Sequence, residues 1–149
     1  MLKPIAFGTA VAGTLDILFA MILTIAFGSE IGKMLRYVGS GPFPSAVDMG
    51  ATGSLLGLLT HFALMAIMTI VYVLLARRTP AMIAHPVQWG IIYGLATYVV
   101  MNWLVVPLRF DAPLPPKPLS IATQLFAHVI LVGIPIALIT ARSLKPRFA

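Results

Sequence analysis

ATGSLLGLLTHFALMAIMTIVYVLLA, residues 51–76, runs its whole length without an Asp, Glu, Lys or Arg. About 26 residues of helix at ~1.5 Å each cover more than the roughly 30 Å of a bilayer's hydrocarbon core. The stretch therefore reads as a membrane-crossing helix with some tilt. Residues 5–27, 86–108 and 119–141 read the same way, and Asp16 is the one strong charge inside any of the four. The expected fold is an all-α, integral membrane four-helix bundle, a single transmembrane domain over residues 1–149.

Composition points the same way. The 149-residue chain is 60% hydrophobic and 9% charged, whereas soluble domains carry about 25% charged residues. Four spans leave no room for a soluble catalytic domain, and the chain has no cysteine for disulfides, Fe–S clusters, thiolate metal sites or Cys nucleophiles. Paired-carboxylate, Gly-x-Ser-x-Gly, His-Glu-x-x-His and phosphate-loop motifs are missing too, so neither an enzyme nor a resident cofactor is expected. The first span follows Lys3 and ends in a small-x-small Ala26-Phe27-Gly28, as a secretory signal would. Its length and its central Asp16 mark it instead as a retained helix.

One set of connections collects Lys3, Arg77, Arg78, Arg142, Lys145 and Arg147, the other Lys33, Arg36, Arg109 and Lys117. The larger basic set belongs on the cytoplasmic side, which places both termini there. Topology thus explains the net charge of +6, and no aromatics interleave the basic residues as a nucleic-acid groove requires. The expected partner is the lipid bilayer, with a homo-oligomer or a larger membrane complex left open.

Between the first two spans, Ile31, Met34, Leu35 and Val38 recur at helical spacing opposite Glu30, Lys33 and Arg36. A short amphipathic helix lying at the interface is expected, with Ser29 capping its start and Gly39 its end. Ser45-Ala46-Val47-Asp48 has the form of a capping box opening the second span. The proline-rich residues 112–118 form a stiff strap. His85 is expected to be solvated in the second connection. Gly53 with Gly57, and Gly90 with Gly94, are GxxxG pairs that let helix backbones approach, within the chain or across a dimer seam. Pro135, inside the fourth span, removes the hydrogen bond to Leu131 and should kink that helix.

Heights along the spans bring four polar side chains into one layer. Asp16 falls roughly 16 Å from the cytoplasmic end, His61 and His128 roughly 20 Å, and Asn102 roughly 22 Å. Gln124 shares the face of His128, and Tyr98 and Met65 stand at compatible heights. Ionisable groups at mid-bilayer point inward and pair, and they are functional candidates. One reading is a transport or permeation element for protons, a cation or a small solute. A second is a structural or accessory subunit whose polar layer only holds the helices together. A third is a bis-His haem or metal redox module on His61 and His128.

The run Gly50-Ala51-Thr52-Gly53-Ser54-Leu55-Leu56-Gly57 with His61-Phe62, then Val71-Tyr72, Gly90 to Gly94, Met101 to Leu108, and His128 with Val132 to Ala137, resembles the YagU-like proteins. These are small bacterial membrane proteins of unknown function. The resemblance implies a bacterial inner-membrane location and a four-helix topology, and it assigns no catalytic or ligand residues.

Overall fold

The computed structural model describes residues 2–145, and every regular element among them is helical. Helix α1 spans Leu2–Ala26, α2 Ile31–Gly39, α3 Gly50–Arg78 and α4 Pro80–Ala84. Pro86–Phe110 forms α5 and Pro118–Leu144 forms α6. The long helices α1, α3, α5 and α6 are each long and apolar enough to cross a membrane, and their ends fall within about one turn of the expected spans.

The outer surface is apolar where a water-soluble protein's is polar, while the interior holds both apolar and small polar side chains. Thr69, Thr97, Thr140, His61 and His128 are buried, while Leu55, Leu59, Ile67, Ile92 and Leu104 are exposed. Small and polar groups inside with Leu and Ile outside is the arrangement that lipid-facing helices adopt.

Helix α1 lies between α3 and α6, and α5 packs along the other side of α6. Glycines set these approaches. A Cβ on Gly13 would stand 2.7 Å from Phe62 Cε1 and one on Gly8 2.9 Å from Thr69 Cγ2, so α1 and α3 touch through hydrogen-surfaced backbone. Gly90 and Gly94 of α5 meet Gly133, and a Cβ on Gly133 would run into the Gly90 carbonyl. By contrast, α3 and α5 make almost no close backbone approach. They are joined by the Tyr93 hydroxyl, which donates to the Met68 carbonyl at 2.7 Å, and by the Tyr72–Tyr93 edge contact at 5.0 Å.

The first GxxxG pair is used locally. Gly57 lies against the Leu35 carbonyl of α2 and Gly53 against the Ala46 carbonyl, so α2 is pressed onto the first turns of α3. Two local expectations change here. Gly39 does not end α2 in a left-handed turn; it stays helical because its missing Cβ admits the Gly57 nitrogen, 2.8 Å from where that carbon would be. The Ser45–Asp48 capping box does not form either: Pro44–Asp48 closes into a 3₁₀ turn, and α3 opens after Met49 with no side-chain cap. Nor does Ser29 cap α2, whose N-cap is Glu30. Gly28, at φ 70°, instead takes the left-handed position that closes α1. The second connection holds the short helix α4, whose Met82 joins the core, while His85 is exposed.

Both α5 and α6 contain one π-helical stretch, Val100–Val105 and Ala127–Gly133. Each ends two residues before a proline, Pro107 and Pro135. A proline lacks its N–H and its ring crowds the carbonyl four residues earlier. Widening the preceding turn to i→i+5 bonding accommodates both defects without breaking the helix. Pro135 is thereby absorbed by the wide turn that carries His128.

Candidate functional site: a carboxylate and two histidines between three helices

About halfway along their helices, Asp16 of α1 and His61 of α3 approach to 3.9 Å, and His128 of α6 lies within electrostatic reach of Asp16. Both imidazoles are 8% exposed. His61 Nε2 lies 2.9 Å from the Gly13 carbonyl, one turn before Asp16 on α1. A carbonyl only accepts, so Nε2 carries the hydrogen and donates it. The neutral ring then presents its basic nitrogen, Nδ1, to Asp16 Oδ2 at 3.9 Å. Two lone pairs facing each other repel, and a proton placed on either atom would turn that repulsion into an attraction.

His128 follows the same logic with the opposite tautomer. Its Nδ1 lies 2.9 Å from the Gln124 carbonyl one turn earlier in α6 and must donate there, which leaves Nε2 as the base. Asp16 is within electrostatic reach of this ring as well. The cluster therefore comprises one acid and two bases whose tautomers are set by backbone carbonyls.

The other layer residues are not brought together in this way. Asn102 sits in the π-helical stretch of α5, where its Nδ2 donates to the Tyr98 carbonyl at 3.3 Å. The closest backbone approach of α5 is to α6, and no hydrogen bond links Asn102 to Asp16, His61 or His128. From α5 it is buried Tyr98 that reaches the site, edge-on to His128 at 6.1 Å between ring centroids and holding the Trp103 indole through its hydroxyl at 3.2 Å. Gln124 supplies its carbonyl to His128, while the residue itself lines a cleft of about 600 Å³. Met65 is buried beside Gly13.

That cleft opens between α1 and α6 on the side of the α2 loop. Ser29, Ser120, Thr123, Gln124 and Lys117 give it a polar lining, and Ala20 and Leu23 contribute from α1. Its deepest residues, Ala20 and Gln124, stand one turn from Asp16 and His128. By height the Phe19–Phe126 ring pair, 5.2 Å apart, lies between cleft and cluster. Toward the opposite end, where both termini lie, come Thr69, which donates to Met65 at 2.8 Å, and then the buried hydroxyls of Thr9, Tyr72 and Thr140. None of those last three has a hydrogen-bond partner among the described residues. A buried hydroxyl is costly unless bonded, and a polar niche of this kind is where proteins hold internal water.

Cofactor chemistry finds a poor fit. Ligating a metal or haem iron through His61 Nε2 would cost its bond to the Gly13 carbonyl of α1. Among the described residues no three His, Cys, Asp or Glu side chains are placed to hold a metal ion. Two contributors had little signal in the sequence: Gly13, which acts through its carbonyl, and Lys117, which reads as a loop charge. A glycine one turn from a carboxylate at mid-span was the available clue to the first. No family model, no curated protein and no solved structure matches this chain, so its function has to be read from this geometry.

Proposed function

We propose that this is a multi-pass protein of the bacterial inner membrane, with both termini cytoplasmic, α2 at the outer interface, and a role in moving protons through the Asp16–His61–His128 cluster. The observation that carries the reading is the convergence of an acid and two tautomer-fixed bases from three helices at mid-height. A proton arriving by the Lys117 cleft would pass onto the Asp16–His61 pair, on to His128 or directly toward the hydroxyls of Thr69, Thr9, Tyr72 and Thr140, and out at the end of the termini. The cluster regains its starting protonation after each passage. Tight packing at Gly13 and Gly94 favours a proton over a larger cation or solute. Loop charge supports the orientation, and membership among the YagU-like proteins is part of the same proposal.

A second reading is favoured by one bond. The His61–Gly13 contact ties α3 to α1, and interhelical bonds of this type are worth about 1 kcal/mol. An accessory subunit would need the cluster only for that.

Proton flux into liposomes, read with a trapped pH-sensitive dye, separates the two. Under the proton reading the native protein accelerates dissipation of a pH gradient and Asp16→Asn returns it to the rate of empty liposomes. Native protein indistinguishable from empty liposomes, with His61→Ala destabilised and the protein co-purifying with a larger complex, would establish the accessory role instead.

A further inference from the structure

The gap between α3 and α5 is a built groove. It has a volume of about 790 Å³ and is walled by Leu59, Ala63, Ile67, Met101 and Val105. It is bounded by the Tyr93–Met68 bond toward one end, and flanked by α2 at the other, where Tyr37 stacks on Phe110 at 4.4 Å. Along α3 the lining runs from Leu56 to Ile67, about 16 Å at ~1.5 Å per residue, close to the roughly 15 Å depth of one leaflet.

Its α2 end is charged. Arg109 lines the groove, donating from Nε to the Gly41 carbonyl at 2.6 Å and from Nη2 to the Ser40 carbonyl at 2.7 Å. Guanidinium has five N–H donors, so three stay available, and no carboxylate forms an ion pair with Arg109 among the described residues. Burial pushes the Tyr37 phenol up from its usual value, so it stays protonated as a further donor at the same mouth.

We propose that this groove binds one anionic phospholipid, an acyl chain lying between α3 and α5 and the phosphate resting on Arg109. Charge complementarity and leaflet-length depth select this occupant over two others. A helix about 10 Å across and 16 Å long occupies about 1,300 Å³, more than the groove provides. A second copy would need a small-residue seam, and both GxxxG pairs are consumed inside the chain, by α2 and by Gly133. The proposal does not depend on the proton reading, since lipid binding here touches none of the cluster residues.

Native mass spectrometry of the purified chain tests it, with phosphatidylglycerol and phosphatidylcholine of identical acyl chains as probes. The expected result is one retained lipid with about fivefold preference for phosphatidylglycerol, the effect of one cation near a phosphate surface. Arg109→Gln removes the preference but also disturbs the end of α2, so Ala63→Trp is the second variant. It fills the groove from an exposed α3 position and leaves the Arg109 bonds in place. It should abolish the retained lipid with helical content unchanged. Equal retention of both lipids by the native chain, undiminished retention in Ala63→Trp, or a dimer that Ala63→Trp dissociates would each overturn the proposal.

Discussion

Replacing Gly94 by Ala adds one carbon at the contact between α5 and α6, beside His128. That carbon would stand 2.5 Å from the His128 carbonyl oxygen and 2.6 Å from Val129 Cα, whereas ordinary contact begins at 3.4 Å. The helices must separate by about 0.9 Å, because both obstacles are backbone and no side chain can swing aside. Overpacking of this kind costs about 1–3 kcal/mol, and the better helix propensity of Ala returns at most ~1 kcal/mol. Two backbone obstacles put the cost in the upper part of that range, about 2–3 kcal/mol, so a net loss of about 1–2 kcal/mol follows. Gly32→Ala is the matched control: its new carbon meets the far end of the Arg36 side chain at 3.2 Å and Ser54 Oγ at 3.6 Å. There the propensity gain dominates, and stability rises by about 0.5–1 kcal/mol. Reversible unfolding of both variants in mixed detergent micelles, followed by circular dichroism, reads the difference. The reasoning is refuted if Gly94→Ala unfolds at the native midpoint, or if both substitutions shift it the same way.

Other expectations concern the site and its approaches. His61→Gln keeps an N–H for the Gly13 carbonyl but cannot titrate; stability should change by less than about 1 kcal/mol while liposome proton flux disappears, and surviving flux would remove His61 from the pathway. Because the chain has no cysteine, Gln124→Cys gives a unique thiol in the cleft that water-soluble maleimide should label, whereas Val132→Cys, at a position 0% exposed, should resist; equal labelling would dispose of the cleft as an aqueous entry. Phe19→Ala removes one ring of the pair between cleft and cluster, and flux should rise, so an unchanged rate would mean the pair obstructs nothing. For Tyr37, whose folded value is raised above 10.0 by burial, the protonated phenol is the favoured folded form. Its stabilising contribution is therefore complete below pH 10 and lost as pH climbs through the folded value, and ultraviolet titration should find a tyrosine ionising later in the folded than in the unfolded chain.

Heights were accessible to sequence reasoning because a helix advances by a constant rise. Asp16, His61 and His128 could be placed at similar depth by counting from the span ends. Rotation was not accessible in the same way. Helices with Leu and Ile on nearly every face have no amphipathic stripe to say which side turns inward, and so Asn102 was placed in the layer by height while Tyr98, four residues earlier on the same helix, stood only at a compatible height. The choice fell to packing: the closest backbone approach of α5 is to α6, which brings Tyr98 to His128 and leaves Asn102 bonded to its own helix. Glycine pairs announced close approach but not the partner. Gly90 and Gly94 found α6, while Gly53 and Gly57 took the short helix α2.

What the chain's residues determined unaided are the four long apolar helices, their approximate ends and the depth of the ionisable groups. These follow from local quantities: charge-free length, rise per residue, and the absence of N–H on proline. What only the tertiary structure decided is which groups come together, the hydrogen that His61 carries, the cleft beside Gln124, and the gap between α3 and α5. Those depend on backbone carbonyls and on distances between helices remote in sequence. A carbonyl has no residue-specific signature, and in an apolar solvent the hydrophobic pattern that would orient each helix is absent.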